Sequence, residues 1–250
     1  MEKLYHIDLD DSHGAKYAIL PGDPARVPLI AKYLDDAKEI GHNREYLSYL
    51  GSLEGEKVLV MSTGMGGPST AIGVEELYMT GVRNFIRVGT CGAMQLDIVG
   101  GDIVIATAAI KLDGTADEYV PKEFPAVADF DLTEKLVRSS RDLNYTTHAG
   151  VVECKDSFYG QHDPDRMPVG YMLKNKWEAY KMANCLASEM ESATLFTLGS
   201  VLRARTACVL SVVWNQERAK AGMSNPENHD SDNAIKVAVE AIRKDILANK

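Results

Sequence analysis

Tyr17-Ala18-Ile19-Leu20-Pro21-Gly22-Asp23-Pro24-Ala25-Arg26 is the stretch on which the fold is read. Its four leading residues form a short apolar run suited to a strand buried on both faces. Pro21 and Gly22 then turn the chain, and Pro24 suits the first turn of a helix over Pro24 to Tyr33. The unit recurs downstream. Val58-Leu59-Val60-Met61 leads through a glycine-rich stretch into a helical pattern over Ser69 to Thr80. Asn84 to Val88 and Asp102 to Ala106 read as two more buried strands, with later strands at Thr146 to Cys154 and Thr206 to Asn215. Helices are predicted at Leu132 to Leu143, Ser192 to Leu202 and Asp232 to Leu247. Strands alternating with helices specify an α/β fold: one three-layer α/β/α domain over residues 1–250, with a central mixed sheet flanked by helices. Lys155 to Val169 and Gln216 to Asp230, rich in Pro, Gly, Asn, His and charge, read as surface loops.

Composition narrows the function classes. The chain has 250 residues, enough for one large core, and a formal net charge of -9, which supplies no basic footprint for nucleic acid or an anionic membrane. No window is apolar over a membrane span's length, and the start Met1-Glu2-Lys3-Leu4-Tyr5-His6 lacks the pattern of an export signal, so a cytoplasmic location is expected. Cys91, Cys154, Cys185 and Cys208 lack CxxC spacing and read as core residues. The six histidines show no ligand spacing, and no GxSxG elbow is present. Neither a catalytic metal nor a covalent mechanism is expected.

Four segments carry polar chemistry at strand or helix ends. In Leu20 to Arg26, glycine permits close backbone approach, and an arginine follows one turn in; an anion cradle and an ordinary turn with a surface arginine are both open. Ser62-Thr63-Gly64-Met65-Gly66-Gly67-Pro68-Ser69-Thr70 joins a strand to a helix, and either admits a phosphate or sugar or merely packs tightly. It lacks the third glycine of a dinucleotide fingerprint, where Ser69 stands, and the lysine of a P-loop, which disfavours a nicotinamide-dependent oxidoreductase. Arg87-Val88-Gly89-Thr90-Cys91-Gly92 delivers an arginine inside an apolar strand, where it must meet a carboxylate or an anion. Ser188-Glu189-Met190-Glu191-Ser192 opens a helix; its carboxylates either cap that helix or clamp sugar hydroxyls.

In this order the four segments resemble the nucleoside phosphorylase family, which includes uridine phosphorylases and hexameric purine nucleoside phosphorylases. The most specific signature runs from Ser62 to Ile72 and on to Glu76-Leu77; Glu123 to Asp129 and Lys155 to Gln161 look like the uridine-specific branch. The resemblance implies phosphorolysis of uridine, with deoxyuridine and thymidine as further candidates, no cofactor, and inorganic phosphate as co-substrate. It implies phosphate binding by Gly22, Arg26, Arg87 and Thr90, joined by Arg44 from a neighbouring subunit. His6 of that neighbour would touch the ribose 5′-hydroxyl, while Met190 and Glu191 hold the ribose. Phe158 would line the pocket, and Gln161 would read the uracil edge with Glu189 behind it.

The arginine that many bacterial relatives carry two residues after this glutamine is absent, and either Lys155 or Arg166 would supply the cation. The lid falls on Asn215 and Gln216, with Arg218 the nearest substitute for a missing lid arginine; Asn215, which cannot give a proton, disfavours a purine substrate. Glu45, Met65 and Ser69 match a site that holds potassium between subunits in some relatives. The implied assembly is a homo-oligomer of dimers with shared active sites, a hexamer. A purine phosphorylase or nucleosidase of the same fold, and a noncatalytic nucleoside-binding protein, are the alternatives.

Overall fold

Residues alternate between two cores along the first strand: Ala18 and Leu20 enter one apolar cluster, Tyr17 and Ile19 another. That alternation makes the sheet a middle layer. The computed structural model describes residues 2–250. Its strands are β1 (Tyr17–Pro21), β2 (Asp35–Asn43), β3 (Tyr46–Leu53), β4 (Glu56–Met61), β5 (Asn84–Ala93), β6 (Ile103–Leu112), β7 (Ala126–Val127), β8 (Thr147–Lys155), β9 (Ala187–Glu189) and β10 (Arg205–Asn215). The helices are α1 (Val27–Ala31), α2 (Gly67–Met79), α3 (Gly114–Tyr119), α4 (Phe130–Asp142), α5 (Phe158–His162), α6 (Gly170–Met182), α7 (Ser192–Leu202), α8 (Gln216–Lys220) and α9 (Asp232–Ala248).

All ten strands join one mixed sheet. β1 pairs in parallel with β4 and β5, and β5 in parallel with β10, so their C-terminal ends share one edge, where ligands of open α/β sheets bind. The expected α/β domain with a mixed sheet between helices is what the chain builds. Residues of α2 and α7 pack on one face, and those of α1, α4 and α9 on the other. The sheet also curls: β10 pairs antiparallel with β6, β6 runs through β8 to β9, and β9 returns to β5, closing a ring of five strands.

Several elements depart from the sequence reading. The helix expected from Pro24 divides into a 3₁₀ turn, Pro24–Arg26, and α1, with Asp23 capping the turn through Ala25 N–H at 2.9 Å. β2 and β3 form an unforeseen hairpin; β2 is mostly exposed, charged and twice irregular in register, so it shows no clean alternation. α6 buries only Gly170 and Trp177, which leaves little periodic apolar signal. The two expected loops contain α5 and α8.

The C-terminal helix is bolted to the sheet through Asp245, which is fully buried. Its carboxylate accepts from Arg205 Nη1 and Nη2, each at 2.9 Å, and from Tyr17 Oη at 2.8 Å. Among the described residues no helix is long and apolar enough to cross a membrane.

Candidate active site

Two loops meet at the C-terminal ends of β1 and β4. Thr63 N–H donates to Pro21 O and Gly64 N–H to Gly22 O, both at 2.9 Å. A side chain at residue 22 would put its Cβ 3.0 Å from Gly64 O, so glycine is what lets the loops lock. The first two polar segments thus form one wall.

Arg87 reaches this wall from β5 and is only 5% exposed. Its Nε donates to Glu189 Oε2 at 3.0 Å and its Nη2 lies 2.5 Å from Glu191 Oε2. Nη1 is buried without a partner, and lies 3.9 Å from where a Cβ on Gly22 would stand. An orphaned guanidinium N–H in such a place costs free energy until an acceptor arrives. A Cβ at Gly89 would fall 2.6 Å from Nη2, so that glycine makes room for the arginine. Burial alone would lower the Arg87 pKa, but Glu191 and Glu189 hold it above the ordinary value. Burial lowers Arg26; Asp23 opposes this, and the charge of Arg87 pushes it down further. Arg26 thus feels the charge of Arg87, the guanidinium that reaches Gly22. Thr90, half-buried, follows Gly89 on β5 opposite Ser211 of β10.

The two glutamates at the start of α7 divide their work. Glu189 accepts from Glu191 N–H at 3.0 Å, from Ser192 N–H at 2.9 Å and from Ser192 Oγ at 2.5 Å, besides Arg87. Burial alone would raise its carboxyl; Arg87 and these hydrogen bonds bring it below the ordinary value. Glu189 was expected behind Gln161, but its oxygens serve Arg87 and the helix start, the capping role open to it from sequence. Glu191 accepts from Gly66 N–H at 2.6 Å and faces Arg87, tying the second, third and fourth segments together. Burial pushes its carboxyl up, Arg87 opposes this, and Glu189 adds to the push. Met190, between them, is half-buried.

The far end of the cleft is built by Lys155, Ser188 and Gln161. Lys155 Nζ donates to Ser188 Oγ at 2.6 Å, Ser188 Oγ donates to Gln161 Oε1 at 2.9 Å, and Gln161 Nε2 donates to Gln216 Oε1 at 3.3 Å. Burial lowers the Lys155 ammonium pKa, with Glu153 and Glu189 opposing. Arg166 stays on the surface, 62% exposed and paired with Asp163 at 3.2 Å. Of the two cations considered, Lys155 is the one brought to Gln161. A cavity of about 840 Å³ opens here, lined among others by Asp113, Glu153, Lys155, Gln161 and Gln216. Phe158 is half exposed on α5 and packs on His162, ring centroids 4.3 Å apart.

The residues expected at the lid differ in what they contact. Asn215 is fully buried and saturated: Nδ2 donates to Gln95 O and Ile98 O, and Oδ1 caps α8 through Glu217 N–H and Arg218 N–H. Arg218 is spent on the carbonyls of Ser224 and Leu96. Gln216 alone of the three touches Gln161. Glu217, which sequence reading passed over, anchors α8 by accepting from Trp177 Nε1 at 2.9 Å and Lys181 Nζ at 2.5 Å.

Arg44 and His6 gather elsewhere, at the tip of the β2–β3 hairpin. Arg44, exposed and at φ 53°, lies over the Tyr5 ring at 5.8 Å, and Asn43 Nδ2 holds the His6 carbonyl at 2.8 Å. His6 Nδ1 lies 2.5 Å from Glu76 Oε1, which orients the ring. Glu76 belongs to the signature segment, but its partner is not legible there. Glu45 and Ser69 flank Gly64, within 3.2 Å of where its Cβ would stand, and Ser69 Oγ donates to Met65 O at 3.3 Å. The four cysteines are free and buried, and burial raises their thiol pKa values, to about 12 for Cys185.

The chain is 55% identical to a uridine phosphorylase of Treponema pallidum, over 96% of this chain and 93% of the relative. It is 39% identical to a uridine phosphorylase of Salmonella typhimurium, over 96% and 97%. It is also 38% identical to a guanosine phosphorylase of Halorubrum lacusprofundi, over 97% and 99%. Residues 16–247 match the model of the phosphorylase superfamily, and the chain belongs to that family.

Proposed function

We propose that this chain cleaves uridine with inorganic phosphate to give uracil and ribose 1-phosphate, in pyrimidine salvage. The uridine phosphorylase relative at 55% identity, against 38% for the guanosine phosphorylase, supports the pyrimidine, and the residues supply the reason. The observation that carries the reading is Arg87: one guanidinium holds the carboxylate of Glu191 and keeps a buried N–H free beside Gly22. Such a fork suits a tetrahedral oxyanion lying against the sugar.

Phosphate sits on Arg26, Arg87, Thr90 and the Gly22 loop. Glu191 accepts from the ribose 2′ and 3′ hydroxyls with its remaining lone pairs. As the glycosidic bond loosens, positive charge grows on the sugar and phosphate attacks the anomeric carbon from the opposite face. The electron pair leaves with uracil, whose developing negative charge is met by Gln161 and by Lys155 in place of the missing arginine. Alignment of two bound reactants supplies much of the remaining rate. Phe158 and Met190 line the pocket. Asn215, with no proton to give and all hydrogen bonds committed, offers nothing to a purine ring.

Arg44 and His6, grouped at one hairpin tip, complete the site of a neighbouring copy, which requires a dimer and fits a hexamer of dimers. Glu45, Met65 and Ser69, whose side chains and backbone gather at Gly64, carry carboxylate, carbonyl and hydroxyl oxygens of the kind that would hold a monovalent cation such as potassium between subunits. One phosphorylase domain, working in the cytoplasm, completes the reading. Uracil release from uridine that depends on phosphate is the expected result; release without phosphate, or faster release of hypoxanthine from inosine, would overturn it.

A further inference from the structure

Lys155 and Gln161 meet through one buried hydroxyl. Ser188 is 3% exposed. We infer that Ser188 is a positioning residue that locks the Gln161 amide in one orientation, selecting a base whose edge offers N–H beside a carbonyl over one offering a bare ring nitrogen beside an amino group. This rests on the uridine reading and deepens it.

The lock follows from donor counting. A lysine ammonium only donates, so at 2.6 Å it occupies a lone pair of Ser188 Oγ. The single hydroxyl hydrogen is left for Gln161, and it can end only on the carbonyl oxygen, Oε1, at 2.9 Å. The amide nitrogen then faces Gln216 Oε1. One lone pair on Oε1 and one hydrogen on Nε2 stay free for the base. Uracil offers a match, N3–H for Oε1 and an adjacent carbonyl for Nε2. Cytosine in the same seat sets the N3 lone pair against Oε1, and only a turned amide would suit it. Turning the amide leaves the buried Ser188 O–H without an acceptor, an expense that a site with fixed polar groups uses to reject the wrong substrate. Ser188 thus selects the base without touching it.

The test compares wild type with Ser188→Ala and Ser188→Cys, measuring the KM for uridine, the Ki of cytidine as a competitor, and the KM for phosphate. In Ser188→Ala the uridine KM is expected to rise about tenfold and the ratio of cytidine Ki to uridine KM to fall by about tenfold or more, the worth of one buried hydrogen bond, while the phosphate KM stays put. Ser188→Cys keeps the volume with a weak donor, is expected between the two, and carries the test should the alanine variant not fold. A wild-type ratio in either variant, or a phosphate KM that moves as far as the uridine KM, overturns the role of Ser188. Wild-type enzyme releasing no uracil from uridine and phosphate would instead sink the uridine reading.

Discussion

Arg87 Nη2 lies 2.5 Å from Glu191 Oε2, while Nη1 on the same guanidinium is buried and unpartnered. In the proposed mechanism the phosphate and sugar halves of the site therefore share one side chain. Removing it outright would leave Glu189 and Glu191 buried without their cation, a loss of about 3–5 kcal/mol that mixes stability with function. Arg87→Lys keeps the charge and loses the fork, and its phosphate KM is expected to rise at least about tenfold with a smaller change in stability. Steady-state kinetics with varied phosphate check this; an unchanged KM would remove Arg87 from the phosphate site.

The proposed uracil cation is Lys155, which reaches Gln161 through Ser188. Lys155→Met is expected to cut kcat/KM for uridine by about tenfold or more, since a charge-assisted contact is worth about 1.5–3 kcal/mol. Arg166→Ala, on the exposed loop, is expected within about twofold of wild type. The reverse pattern would reassign the cation.

Lys155 also sets a pH limit. Burial lowers its pKa, so its charge is lost on the alkaline side before that of an ordinary lysine. Activity is expected to fall on the alkaline side as pH rises through that lowered value. Lys155→Arg should move this limb to higher pH, because arginine stays protonated. A limb that the substitution leaves in place would belong to another group.

Away from the site, Asp245 ties α9 to Tyr17 and Arg205. Asp245→Asn is expected to lower unfolding free energy by about 2–4 kcal/mol without changing KM for either substrate. Burial alone would raise the Asp245 carboxyl, but hydrogen bonds from Arg205 and Tyr17 bring it below the ordinary value. Its contribution is thus present above the ordinary carboxylate pKa and fades as pH falls through the lower folded one. Urea titrations of both proteins should show the gap at neutral pH and its narrowing in acid; a gap independent of pH would deny the charge a role.

The buried strands were legible because β1, β4, β5 and β10 are covered on both faces and show it as apolar runs. β2 was not, because its charged, exposed and bulged stretch carries no such signal, and ring closure through β6 and β10 is a long-range pairing that no local pattern records. The wall proposed to hold phosphate could be read from glycine beside arginine at two strand ends. Ser188 could not, since a serine gains its role only when Lys155 and Gln161 arrive from other elements. Glu189 was half legible: capping of α7 could be read from its place at the helix start, whereas its pairing with Arg87, 102 residues away, could not.

The most direct measurement follows uridine and phosphate together by phosphorus NMR as uracil appears. One ribose 1-phosphate formed, and one inorganic phosphate consumed, per uracil released is the expected result. Uracil released with no loss of inorganic phosphate would make the enzyme a hydrolase and contradict the role given to Arg26 and Arg87.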